Sequence, residues 1–294
     1  MDSDDAPYVQ RIRDLPLWSG PITLERISGG ITNRNYRVRE GSRQFVARIG
    51  EELLVLGVDR RNERLCHQAA ERLGVAPPIA YAANGVMVTH YIESRTLDPS
   101  SAREPGFAPR LAKLLKQLHD GWDGLEGELF FFSPFQVNRT YVTTSRKLGA
   151  ELPHDIDWML EATRDLSRTL APYVPTLCHC DMLPANVLDD GNRVWIVDWE
   201  YAGMGHPLFD LAGFSINCHY TNDLEHEFLT AYRGEFRETD LRELHVLKIA
   251  SLLRESLWAV VQTVASTLDF NYREYALIHF EKFRTEFAAF QQNR

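Results

Sequence analysis

The hydrophobic periodicity of this chain changes once, near residue 92, and that change limits its fold more than any other feature. Before it, short β-rich runs dominate. Residues 21–28 read as a strand, 35–39 as a second, and 44–49 as a third across the Glu40-Gly41-Ser42 turn. A helix is expected over 58–73, with Leu65, Ala69 and Leu73 at helical spacing and Gly74 and Pro77-Pro78 ending it. Residues 79–82 and 86–90 then read as two strands around Asn84-Gly85. After the Tyr91-Ile92-Glu93-Ser94 linker the pattern is mainly helical. Leu111, Leu114, Leu115 and Leu118 line one amphipathic helix, and further helices are expected over 158–170, 240–268 and 272–290. Short apolar strands such as Val194-Trp195-Ile196-Val197 interrupt between 176 and 203. The expectation is an α+β chain: a small antiparallel-sheet unit over 1–92 and a larger, mainly helical unit over 93–294.

Composition narrows the partners. With 44% hydrophobic and 25% charged residues, a chain of 294 residues can bury a sizeable core, and wholesale disorder is excluded. The net charge of −9, with no basic tail, argues against nucleic acid and suits cationic or neutral partners. The most apolar stretch, 249–268, contains Arg254, Glu255 and Gln262, so no membrane span is expected. Residues 1–7 are acidic and lack the apolar core of a signal peptide, and four cysteines make no disulfide framework. A cytoplasmic protein with reduced thiols is expected, as monomer or homodimer. Phe130-Phe131-Phe132 reads as core packing under a loop, with a lid or contact surface as the alternative.

The segment Cys178-His179-Cys180-Asp181-Met182-Leu183-Pro184-Ala185-Asn186 carries the chemistry, with Asp198 twelve residues further on. The pattern H-x-D-x-x-x-x-N, a hydrophobic strand and then Asp is the catalytic half of the kinase signature set. Phosphoryl transfer asks a protein to aim a hydroxyl in line and to neutralise charge on the moving oxygens. A loop carboxylate, Asp181, can accept the hydroxyl proton. Asn186 and Asp198 supply the oxygen donors that Mg²⁺ requires. Zinc binding by Cys178, His179 and Cys180 fails, because consecutive residues cannot all point at one metal.

This segment resembles the catalytic loop of the choline/ethanolamine kinase and aminoglycoside phosphotransferase group, and the resemblance runs over nearly the whole chain. It implies a bilobal protein-kinase-like fold that binds ATP and Mg²⁺. It places His179 with Asp181 in the catalytic set and Asn186 and Asp198 on the metal. Ser28-Gly29-Gly30-Ile31-Thr32-Asn33 is similar to the family's phosphate loop, so Gly29, Gly30, Thr32 and Asn33 are expected over the phosphates. Arg48 stands where protein kinases carry lysine, with Glu63 as its helix partner. His90 to Ile92 resembles the hinge that meets adenine. His119 and Asp210 fall on supporting positions. Near the C-terminus, Trp258 and Tyr275 match aromatic positions that face a trimethylammonium group. Tyr201 joins them in the substrate set, and Glu255 stands where many relatives have a second Trp. The expected substrate is a small cationic alcohol, choline first, with ethanolamine, thiamine or an aminoglycoside as alternatives. A non-catalytic nucleotide sensor is the rival of another class.

Overall fold

The first sheet is built by alternation. β1 (Thr23–Ile27), β2 (Arg34–Glu40), β3 (Arg43–Ile49), β4 (Ile79–Ala83) and β5 (Val86–His90) pair antiparallel in the order β1-β2-β3-β5-β4. In β3, Phe45, Ala47 and Ile49 are buried on one face. Period-two geometry therefore sends Arg48 out of the other face. This is a computed structural model, and it describes residues 5–27, 33–83, 85–121 and 125–292. The expected phosphate-loop residues Gly29, Gly30 and Thr32 lie outside the described residues.

The buried face of the sheet is closed by α1 (Ala6–Arg13), which contributes Val9 and Ile12 to a cluster with Tyr36, Val38, Phe45 and Val88. This helix was not expected, since only two of its eight residues are buried and no long apolar stripe announces it. The next helix corrects the sequence reading differently. α2 (Arg60–Arg72) begins at Asp59, whose carboxylate caps the Asn62 N–H at 2.8 Å. Of the expected stripe Leu65, Ala69 and Leu73, only Ala69 is fully buried. The buried face is Asn62, Glu63, Cys66, His67, Ala69 and Ala70, and its polar members Asn62, Glu63 and His67 are tolerated there because each finds a partner. Asn62 donates to the Ala202 carbonyl and accepts from the Phe130 N–H, and His67 bonds the Pro77 carbonyl.

Beyond β6 (Arg95–Thr96) the chain is mainly helical: α3 (Phe107–Asp120), α4 (Pro134–Leu148) and α5 (Ile156–Ser167) precede the catalytic segment. That segment holds β7 (Thr176–Cys178), β8 (Val187–Asp189), β9 (Val194–Ile196) and β10 (Gly203–Gly205). β6-β8-β9 and β7-β10 form two small antiparallel sheets. Then come α6 (Leu208–Asn217), α7 (Asn222–Arg233), α8 (Glu238–Ala265) and α9 (Tyr272–Gln292). The fold class is α+β, as the sequence implies. α8 is buried all round its middle, between α9, α4 and α6, so it carries no clear amphipathic stripe.

The expected core role of the aromatic segment holds for one residue in three. Phe132 is buried against Phe209, whereas Phe130 and Phe131 are 46% and 62% exposed. Backbone pairing with β10 explains the split, since Met204 donates to the Phe130 carbonyl and accepts from the Phe132 N–H. A Cβ on Gly203 would lie 2.6 Å from the Phe130 oxygen, so glycine is required there. Among the described residues, no helix is long and apolar enough to cross a membrane. Cys66, Cys178, Cys180 and Cys218 are free and buried.

One buried ion cluster joins α6, α7 and α8. Glu225 takes bonds from Lys248 Nζ at 2.6 Å, His245 Nε2 at 2.8 Å and Ser215 Oγ. Burial alone would raise its carboxyl, but His245, Lys248 and Ser215 hold it down at about 2. A carboxyl depressed on folding stabilises above its ordinary value of 4.5 and loses that contribution as pH falls toward about 2. Glu225→Gln should therefore cost about 3 kcal/mol at neutral pH, the scale for breaking a buried pair. Urea denaturation of both proteins across a pH series checks this. A gap that does not narrow below the ordinary carboxylate value refutes it.

Candidate active site

The loop from His179 to Asn186 leaves β7 and enters β8 through a 3₁₀ turn, Pro184–Asn186. Asp210, in the first turn of α6, holds the loop's base. Its oxygens accept the backbone N–H groups of His179 and Cys180 at 2.8 Å each, and His119 Nε2 lies at 3.1 Å. Cys180 sits at φ 64°, a left-handed conformation that costs a non-glycine residue about 1–3 kcal/mol. The Asp210 bonds offset that strain and turn Asp181 outward. Burial would drive the proton from His119, yet Cys178 and Asp210 hold its imidazole well above the ordinary value.

His179 belongs behind the loop, not in the cleft. It is fully buried, its Nε2–H donates to the Val197 carbonyl at 2.9 Å, and its Nδ1 accepts the Asp181 N–H at 3.3 Å. With both nitrogens engaged it has no proton to exchange with a substrate, so its place is that of a brace for Asp181. Asn186 Nδ2 donates to the Asp181 carbonyl at 2.9 Å, so the oxygen of its amide is the atom left to accept a bond or ligate a cation.

Facing this loop is a cluster of charge from four parts of the chain. Arg48 pairs with Glu63 on α2, with Asp198 at 3.2 Å and with Glu200 at 3.9 Å. Arg60 pairs with Glu63 at 2.8 Å and Glu200 at 3.1 Å, and donates to Asn33 Oδ1 at 2.9 Å. Asn33 in turn donates to Glu200 at 2.9 Å. Their crossing explains Gly50, where a Cβ would lie 2.6 Å from Asn33 Oδ1. The structure thus brings together Asn33, Arg48, Glu63 and Asp198 from the sequence-derived set. Sequence reasoning missed Arg60 and Glu200. Their signals were present: Arg60 opens the charged run around Glu63, and Glu200 lies on the same strand exit as Asp198.

Asp198, at φ 66°, is held in a second left-handed turn. Withdrawal from water and the neighbouring Glu200 push its carboxyl up to about 7, against the pull of Arg48. Asp198 and the Asn186 amide oxygen offer hard oxygen donors, chemistry that would suit Mg²⁺ and not a soft metal.

The residues expected to meet the substrate's ammonium group lie on α8 and α9, with Tyr201 beside them. Trp258 and Tyr275 rings are 6.1 Å apart at 71°, and Trp258 Nε1 donates to Tyr201 Oη at 2.9 Å. Tyr275 Oη donates to Glu255 Oε2 at 3.2 Å. Arg254, also missed from sequence, donates to Asp181 Oδ1 at 2.9 Å and to Glu255 Oε1 at 2.5 Å, with its guanidinium 4.6 Å from the Tyr201 ring centre. Asp181, Glu255, Tyr275, Trp258 and Tyr201 therefore form one connected patch. His90 and Ile92 lie apart from it, at the end of β5. The His90 N–H donates to the Pro78 carbonyl at 2.9 Å, and the Ile92 carbonyl accepts from Ser94 Oγ at 3.1 Å.

A loop carboxylate, hard oxygen donors and an ion-paired arginine near them are what a phosphoryl-transfer site requires. Residues 23–249 match the phosphotransferase enzyme family, and the chain belongs to that family. Within it, this is a choline/ethanolamine kinase-like phosphotransferase. Protein LicA of Haemophilus influenzae is 28% identical over 261 residues, covering 85% of this chain and 75% of that protein. Human ethanolamine kinase 1 is 24% identical over 307 residues, covering 89% and 67%. A choline/ethanolamine kinase family protein from Mesorhizobium loti superposes with a TM-score of 0.81 at 28% identity, covering 99% of this chain and all of that one.

Proposed function

We propose that the protein moves the γ-phosphate of ATP to the hydroxyl of choline, with Mg²⁺ as cofactor. Residues 1–92 form the nucleotide unit and 93–294 the catalytic and substrate unit. Asp181, turned outward by the Asp210 bonds and braced by His179, takes the hydroxyl proton. Asn186 and Asp198 hold Mg²⁺, which when bound neutralises charge on the phosphate oxygens. Arg48, fixed by Glu63, reaches the nucleotide phosphates. With the His90 N–H committed to Pro78, the Ile92 backbone is the hinge group for adenine.

The observation that carries the choline reading is the aromatic wall of Trp258, Tyr275 and Tyr201 joined to Asp181 through Arg254 and Glu255. A quaternary ammonium has no N–H donors and must bring its methyl groups out of water, needs that aromatic faces meet. Ethanolamine is the second reading, favoured by the buried Glu255 carboxylate beside the wall. An aminoglycoside, a polycation, calls for more carboxylates than Asp181 and Glu255, between which a cation already sits. A non-catalytic sensor has no need of Asp181, Asn186 and Asp198 together.

Steady-state kinetics on choline, ethanolamine, thiamine and kanamycin test this reading, with choline expected to have the highest kcat/KM. Trp258→Ala should cost choline roughly 5- to 30-fold, the value of a desolvated cation–π contact, and narrow its lead over ethanolamine. Circular dichroism excludes unfolding. Equal losses on both amines, or a parent that prefers ethanolamine, would return Trp258 to a packing role.

A further inference from the structure

Arg254 is the least expected residue in the site. It is 2% exposed, in the buried middle of α8, and burying a guanidinium is costly unless it is used. One nitrogen, Nη1, serves both Asp181 and Glu255, and the planar group lies over Tyr201. Its Nε is buried without a hydrogen-bond partner, an arrangement that a purely structural ion pair would avoid. Glu255 is affected most. Oε1 accepts from Arg254 and Oε2 from Tyr275, so each oxygen already has a donor.

We propose that Arg254 determines which ammonium the site favours, an assignment that rests on the choline reading above. Two carboxylates and one guanidinium leave one net negative charge, which matches a single cation. By occupying Glu255, Arg254 turns that carboxylate into a charge with no oxygen left unshared. A primary ammonium then finds its three N–H groups competing with Arg254 and Tyr275 for acceptors. A quaternary ammonium needs no acceptor and feels only the charge and the aromatic faces. The selectivity lies in what Arg254 withholds from the competitor as much as in what the aromatic wall offers choline.

The test is the ratio of kcat/KM for choline to that for ethanolamine in the parent, Arg254→Met and Glu255→Gln. Calorimetric binding of each amine without nucleotide runs alongside. Arg254→Met frees Glu255 Oε1 for a charge-assisted bond to a primary ammonium, so the ratio should fall by about 10- to 100-fold toward ethanolamine. Any kcat loss from disturbing Asp181 is common to both amines and cancels in the ratio. In Glu255→Gln, with Arg254 in place, both amines should weaken together and the ratio move less than ~3-fold. An unmoved ratio in folded Arg254→Met overturns the assignment. So does a selective loss of ethanolamine in Glu255→Gln, which decides the matter if the first variant does not fold. A parent that turns over neither amine, or prefers ethanolamine, overturns the choline reading and this assignment with it. A parent that prefers choline with a ratio insensitive to Arg254 overturns this assignment alone.

Discussion

Asp198→Asn should reduce turnover by at least ~10³-fold, the scale on which phosphoryl transfer depends on groups that neutralise its charge. Asparagine is the variant of choice because position 198 sits at φ 66°, which Asn tolerates and Ala does not. The substitution removes one of the carboxylates crowded beside Glu200 and Asp181 and leaves Arg48 its bond to Glu63. The melting temperature of the ligand-free protein should therefore not fall. Nucleotide binding, followed by calorimetry with and without Mg²⁺, should lose most of its dependence on the metal. Activity within tenfold of the parent would remove Asp198 from the metal site.

The second large effect is expected at Asp181. Asp181→Asn should lower kcat by at least ~10²-fold, the lower range for a positioned general base, with nucleotide affinity nearly unchanged. The amide can still accept a bond from Arg254, and Arg254 keeps Glu255 as its anion, so the buried guanidinium is not stranded. That separates loss of a proton acceptor from loss of structure. A deficit that appears in the KM for ATP with kcat intact would make Asp181 a binding residue.

What could be read early and what could not divide along a physical line. The loop from His179 to Asn186 works at short range: Asn186 bonds the carbonyl of Asp181 five residues back, and His179 takes the N–H of Asp181 two residues on. Chemistry held by such local spacing is visible in a string of residues. So is the sheet, because strand alternation is a nearest-neighbour property. α1 was lost because two buried residues in one short helix make too weak a periodic signal. The buried face of α2 was misread because Asn62 and Glu63 are polar, and only distant partners make their burial affordable.

Sequence alone thus determined the class of fold and marked the loop from His179 to Asn186 and Asp198 beyond it as the candidate site, since these follow from periodicity and short spacings along the chain. Tertiary structure decided how the charges are shared. Arg48 meets Asp198 across 150 positions, Asn33 meets Glu200 across 167, and Arg254 meets Asp181 across 73. No periodicity encodes these pairings. A buried ion is tolerable only where the folded chain delivers its counter-ion, so the roles of Glu200, Arg60 and Arg254 come into being with the packing that surrounds them.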